Sequence, residues 1–345
     1  MRRSWLILTL LLALALLPAG CNPSPTPPPP TASPTAVAVA QSTSTTTPPP
    51  PTASATLSAP ATPTPIPTTR PGPTDTPTAT PQPTASATPL PPIFLNGLPP
   101  ESFILMPPET VANVQAIFAR GQALGRDPHT FSKLGDSVAL TSHYLTKFDE
   151  GRYNLGSDYA YLQPAIDHYA GSFARYGVAI RVGLHAWSVF DPLWANKEWC
   201  EPNEDMLTCE FRLNNPSVLL IRLGSNDNGP GFGVNLRQVV EFSIENGVIP
   251  ILGTKADRFE GEGNENNLAI RAIAEEYQVP LFDFDLVAGT LPGRGLGSDD
   301  DVHLTITDAN DYTLPQNFQR GYPVHDLVIL MTLYQLLNQV GWPGE

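Results

Sequence analysis

Three short runs of the sequence hold side chains that can perform acyl transfer when folding brings them together. Gly135-Asp136-Ser137 offers a hydroxyl, Gly224-Ser225-Asn226-Asp227 an amide, and Asp300-Asp301-Val302-His303 a carboxylate and an imidazole. A serine hydroxyl becomes a useful nucleophile when a positioned imidazole takes its proton, and the imidazole needs a carboxylate that sets its tautomer. Each run alone is a common turn or surface pair, but together and in this order they predict a serine nucleophile.

The spacing of Asp300 and His303 indicates a local pair. An Asp three residues before a His can present its carboxylate on the same side of a turn as the imidazole. Asp299 and Asp301 compete for this role, but their spacings to His303 place them less naturally. We therefore expect Asp300 to orient the imidazole and His303 to take the proton of Ser137.

Acyl transfer also develops an oxyanion, which requires hydrogen-bond donors that are already in place, each worth about 3 kcal/mol. The candidate donors are the backbone N–H of Ser137 and the side-chain amide of Asn226. A third donor is expected from a glycine at the end of the second predicted strand, where Gly183 is the best placed.

The three runs follow apolar segments of the kind that form a parallel sheet. Continuous apolar strands that alternate with helical patterns predict an α/β fold with a parallel sheet covered on both faces. In such sheets functional groups collect at the carboxyl ends of the strands. The predicted strands are 130–134, 178–182, 217–223, 248–252 and 279–284. The predicted helices are 109–124, 158–173 with an interruption at Pro164, 234–245, 264–278 and an amphipathic 324–340. Asn246-Gly247 predicts a left-handed end to the third of these helices.

The runs resemble the sequence blocks of the SGNH, or GDSL-type, hydrolase family. Lys133 through Ser137 is similar to the first block, 224–227 to the G-x-N-D block and 300–303 to the D-x-x-H block. The resemblance implies a flavodoxin-like three-layer α/β/α sandwich around a five-stranded parallel sheet. It also implies that Ser137, His303 and Asp300 form the catalytic triad, with Asn226 and a glycine in the oxyanion hole.

The sequence departs from the family pattern at two points. Val138 replaces the Leu of the GDSL form, and the glycine of the second block is not clearly marked. Gly183 is the first candidate for that glycine, and Gly177 is the alternative.

Composition divides the chain into three parts, 1–20, 21–92 and 93–345. Residues 22–92 contain 23 prolines and otherwise mostly Thr, Ala and Ser, so they hold too little apolar surface to offset the entropy of ordering and are predicted to be a disordered linker. Residues 93–345 have an ordinary globular composition and are long enough for one α/β domain. Their 16 basic and 32 acidic residues give a net charge of −16, which argues against a nucleic-acid partner.

The first 20 residues are typical of an export signal. Arg2 and Arg3 precede an apolar run at 5–17, which is too short to span a bilayer comfortably, and small residues follow it. The small residues before Cys21 resemble the bacterial lipobox, although Pro18 departs from it. The resemblance implies lipidation of Cys21 and a location on the outer face of the cytoplasmic membrane or the cell surface. Ordinary secretion and an uncleaved anchor are the alternatives.

The other two cysteines, Cys200 and Cys209, lie close together in an acidic, loop-like stretch. In an oxidising compartment they are expected to form a short-loop disulfide. A metal site needs more ligands than this pair offers.

Taken together, the sequence predicts an exported serine esterase or acyl-hydrolase that needs no metal or organic cofactor. The expected substrates are small-molecule or polysaccharide esters, with O-acetyl groups of carbohydrates preferred on grounds of location and lipid esters or thioesters as alternatives. The alternative is a non-catalytic envelope or glycan-binding protein on the same fold. Three tryptophans, Trp187, Trp194 and Trp199, are interpreted either as the lining of an acyl or sugar pocket or as core residues.

Overall fold

The computed structural model describes residues 94–340, which make up most of the predicted domain at 93–345. The predicted signal peptide at 1–20, Cys21 and the predicted linker at 21–92 lie outside the described residues. Within residues 94–340, each helix is too short or too polar to cross a membrane.

A five-stranded sheet forms the centre of the described region, in the order β1-β6-β5-β4-β2. Strands β2, β4, β5 and β6 run parallel, and β1 pairs antiparallel with β6 at one edge. Two small ladders pair β3 with β9 and β7 with β8. The strands are β1 (Ile104–Leu105), β2 (Asp127–Gly135), β3 (Tyr153–Asn154), β4 (Pro216–Arg222), β5 (Ile249–Gly253), β6 (Leu281–Phe282), β7 (Leu296–Gly297), β8 (Asp300–Leu304) and β9 (Asn310–Asp311).

Helices cover the sheet on both faces, and every residue of β4 and β5 is buried as a result. Helix α1 contacts α8, and α5 contacts α6. The helices are α1 (Pro108–Ala123), α2 (Thr146–Asp149), α3 (Gln163–His168), α4 (Met206–Asn214), α5 (Gly231–Glu245), α6 (Glu265–Glu276), α7 (Phe284–Ala288) and α8 (Gly321–Val340).

The predicted α/β class is confirmed, but one strand of the sheet differs from the prediction. Residues 178–182 do not form a regular strand, because only Ile180 makes a bridge, parallel to Gly135 at the end of β2. The fifth strand is instead β1, which comes before the first long helix and is antiparallel, so the sheet is mixed rather than fully parallel. A two-residue edge strand leaves almost no periodic signal in the sequence.

Two predicted helices also differ from the structure. The pattern at 158–173 yields only a short 3-10 turn and α3, and Pro164 stands in the first turn of α3, where its missing N–H costs nothing. The last helix, α8, is buried along most of its length rather than amphipathic. A helix that is apolar nearly all round belongs inside the molecule.

Candidate active site

Ser137 lies in a tight turn directly after β2. The preceding Asp136 is fully buried, and one of its carboxylate oxygens accepts the backbone N–H of Val138 at 2.9 Å. Gly135 has no room for a side chain, because a Cβ there would lie 2.6 Å from the Cβ of Ala139. Gly135 and Asp136 therefore shape the turn, which leaves Ser137 partly exposed directly after the carboxyl end of β2.

The predicted histidine and aspartate lie on β8, opposite this turn. Nε2 of His303 lies 2.9 Å from Oγ of Ser137, and Nδ1 of His303 lies 2.5 Å from Oδ2 of Asp300. The other carboxylate oxygen of Asp300 accepts the backbone N–H groups of Val302 and His303, at 2.9 and 3.0 Å. The three predicted side chains are thus joined in one hydrogen-bonded chain.

The charge of Asp300 is favoured by these contacts. The backbone N–H of His303, first among the donors, lowers the pKa of Asp300 below its ordinary value. A carboxylate on Nδ1 holds the proton of a neutral imidazole at that nitrogen, which leaves Nε2 free to accept the hydroxyl proton of Ser137. The arrangement can therefore activate the hydroxyl.

The candidate oxyanion donors lie at the same edge of the sheet. The bridge between Ile180 and Gly135 is parallel. Gly183, which follows Ile180, therefore lies at the same end of the sheet as Ser137, which follows β2. The side-chain amide of Asn226 donates to the carbonyl of Leu184 at 3.2 Å, which places Asn226 next to Gly183. An amide NH₂ has a second hydrogen, and this one remains for a ligand.

The alternative glycine is less suitable. Gly177 precedes the bridge and so lies away from the carboxyl end of β2. A Cβ on Gly177 would lie 2.5 Å from a carboxylate oxygen of Glu210, which also accepts the N–H of Val178. The conformation of Gly177 is thus explained by the approach of Glu210, and Gly183 remains the better candidate.

A buried arginine that the sequence analysis did not single out holds the turns of the site together. Arg222, the last residue of β4, is 1 % exposed and donates to Asp136, at 2.9 and 3.1 Å to its two oxygens. It also donates to Oγ of Ser225 at 2.5 Å and to Asp257 at 3.0 Å. One guanidinium thus links the turn of Ser137, the turn of Asn226 and the loop after β5.

Each buried cation of this cluster is paired with carboxylates, as burial demands. Lys255 is also buried and contacts Asp257 at 2.9 Å and Glu260. Although burial opposes it, the cations Arg222 and Lys255 lower the pKa of Asp257. The only sequence signal for this cluster was an arginine inside an otherwise apolar strand.

The fold brings the two predicted cysteines together. Cys200 and Cys209 are joined by a disulfide, with their Cα atoms 5.4 Å apart. Glu204 brings a carboxylate oxygen within 4.8 Å of both sulfurs, but this carboxylate is bonded to Arg212 at 2.7 Å. We therefore interpret the group as structural rather than as a metal site.

Two cavities differ in their relation to the triad. One of about 360 Å³ adjoins β8 and is lined by Ala256, Arg258, Phe259, Arg294, Leu296 and Asp301. A larger cavity of about 760 Å³ lies beside β1 and α1, at the sheet edge opposite β2. The smaller cavity includes Asp301, the residue after Asp300, but Ser137, Asp300 and His303 are not among the residues that line it.

No protein-family model matches the sequence, and no curated protein matches it. Solved structures that resemble the chain include the psychrotrophic esterase EstA from a Pseudoalteromonas species, at 15 % identity over 61 % of this chain and 97 % of that one, with a TM-score of 0.37. A GDSL-like lipase from Bacteroides thetaiotaomicron has 15 % identity over 65 % and 98 %, with a TM-score of 0.36. The acetyl-xylooligosaccharide esterase Axe2 from Geobacillus, in its R55A variant, has 14 % identity over 62 % and 94 %, with a TM-score of 0.36. Their activities are properties of those proteins.

Proposed function

We propose that this protein is a serine ester hydrolase of the SGNH type. The observation that carries the proposal is the continuous hydrogen-bonded chain from Oγ of Ser137 through the His303 ring to Asp300. Ser137 and His303 are 166 positions apart in sequence, and they meet Asp300 in the donor and acceptor order that a nucleophile, base and carboxylate require.

The reaction follows from these positions. Oγ of Ser137 attacks the ester carbonyl carbon while Nε2 of His303 takes the hydroxyl proton, and Asp300 stabilises the imidazolium. The tetrahedral oxyanion is bound by N–H groups of Ser137 and Gly183 and by the amide of Asn226. As the bond to the alcohol breaks, His303 returns the proton to the leaving oxygen. Water then attacks the acyl carbon of the acyl-enzyme while His303 takes a proton from it. As the bond between the acyl group and Oγ of Ser137 breaks, His303 returns the proton to Oγ and the carboxylic acid is released.

We further propose that the enzyme works outside the cytoplasm, attached through a lipid on Cys21, on O-acyl groups of carbohydrates. The export-type signal and the lipobox-like residues support the location. A solvent-accessible triad supports a bulky substrate, because the side chains of His303 and Asp300 are each 45 % exposed.

A fluorophosphonate probe, which reacts with activated serines, tests the assignment of the nucleophile. We expect the purified protein to gain one covalent label at Ser137, detected by mass spectrometry, and Ser137→Ala to gain none. Ser142→Ala is the matched control, since Ser142 is exposed in the same loop and should not affect labelling. Folded wild-type protein that takes no label would instead favour the non-catalytic binding protein.

A further inference from the structure

The segment after Gly183 presents an aromatic side chain to solvent close to the candidate oxyanion site. Trp187 is 50 % exposed. It lies four residues after Gly183, so their Cα atoms are separated by at most about 14 Å. Trp187 therefore lies in the neighbourhood of the candidate oxyanion site.

The exposed ring is held in place rather than free to move. It stacks on His185, with ring centroids 6.0 Å apart and planes at 28°, and meets the edge of Trp194 at 5.5 Å. Trp194 is in turn covered by the guanidinium of Arg181, which also donates to its carbonyl at 2.7 Å. A large apolar ring kept exposed and rigid loses little entropy when it binds a ligand.

Hydrogen bonds tie this support to the turn that carries Asn226. Asp227, the next residue, accepts the backbone N–H of Ala186 at 3.0 Å, and one carboxylate oxygen lies 3.9 Å from Nδ1 of His185. The position of Trp187 is thus set by the same turn that positions a candidate oxyanion donor.

We propose that Trp187 is a stacking platform for a pyranose ring of the substrate, an inference that rests on the ester hydrolase function proposed above. The polar ring of His185 lies against Trp187, and Arg181 lies beyond it on Trp194, so the exposed indole offers an apolar face with hydrogen-bonding groups nearby. A sugar ring has the complementary shape, with C–H groups on a face and hydroxyls at the rim. An aliphatic acyl chain would instead need apolar walls that remove each methylene from water.

Steady-state kinetics with two esters tests the platform. For Trp187→Ala, the KM for acetylated xylotetraose relative to the KM for p-nitrophenyl acetate should rise about tenfold, with kcat for the sugar ester changed less than twofold. Trp187→Phe should restore most of the loss, because it retains an aromatic face. Trp199→Ala is the matched control, since Trp199 is 60 % exposed twelve residues further along the chain, and the KM ratio should not change.

A binding experiment separates this proposal from the hydrolase function. Calorimetric titration of Ser137→Ala with deacetylated xylotetraose should show binding that is weakened about tenfold by adding Trp187→Ala. If neither ester is hydrolysed, the hydrolase function fails while this titration still decides the platform. The platform is overturned by an unchanged KM ratio, by an equal effect of Trp199→Ala, or by absent sugar binding.

Discussion

The imidazole of His303 receives its two partners from different sources. Asp300 is a local partner held by two backbone N–H groups of its own strand, whereas Ser137 lies 166 residues before His303 in the sequence. The local pair is therefore formed whenever β8 forms, and the contact to Ser137 depends on how the sheet edge and β8 come together.

Replacement of the carboxylate tests this division at the residue scale. Asp300→Asn keeps the size of the side chain but removes the charge and allows an N–H to face Nδ1, which favours the wrong tautomer. We expect kcat for p-nitrophenyl acetate to fall about 10³- to 10⁴-fold with the fold retained. Asp299→Asn, one residue earlier and exposed, is the control and should keep its activity. A loss below tenfold for Asp300→Asn would assign the orienting carboxylate to another residue.

At the scale of elements, two helices end in the same way but in different surroundings. Helix α1 is followed by Gly125, with φ +78°, and α5 by Gly247, with φ +67°. A Cβ on Gly125 would meet open space, whereas one on Gly247 would lie 2.5 Å from the Cα of Gly121 in α1. Gly247 thus serves both the left-handed turn and the close contact of α1 with the start of β5.

The two glycines therefore predict different costs for the same substitution. Gly125→Ala should lower the free energy of unfolding by about 1 kcal/mol, the cost of a left-handed alanine. Gly247→Ala adds steric overlap with backbone and should cost about 2 to 4 kcal/mol. Urea denaturation of both variants measures the difference. Equal costs would show that α1 moves away from Gly247 without penalty.

At the scale of the whole molecule, burial of charge makes stability depend on pH. Asp326 lies inside α8 and accepts the N–H of Leu145 at 3.1 Å and the amide of Asn310 at 2.9 Å. Burial nevertheless raises the pKa of Asp326 to about 7. Between the ordinary value near 4 and this value, the folded protein binds more protons than the unfolded chain. The contribution of Asp326 to the free energy of unfolding therefore falls as pH rises from about 4 to about 7.

Asp326→Asn should remove this contribution while leaving an acceptor for Leu145. As pH rises from 4 to 7, the unfolding free energy of the variant relative to that of wild type should increase by up to about 1.4 kcal/mol per pH unit. Above pH 7 the difference should be constant. Chemical denaturation at several pH values gives both curves. Parallel curves across the whole range would mean that Asp326 titrates normally.

The identities of Ser137, His303, Asp300 and Asn226 as candidates followed from the sequence, because each lies in a short run whose chemistry is local. The strongest strands were also predictable, since fully buried parallel strands are continuously apolar. The left-handed helix end at Gly247 was also predictable, because the Asn-Gly pair that favours it is local in the sequence.

Other features were decided only by tertiary structure. The fifth strand is a two-residue segment that becomes a strand through pairing with β6, and the predicted strand at 178–182 retains one bridge. The role of Arg222 depends on Asp136 and Asp257, which come from separate loops. Pairings between distant residues carry no periodic pattern in the chain, because their free energy arises only when the sheet brings the partners together and removes them from water.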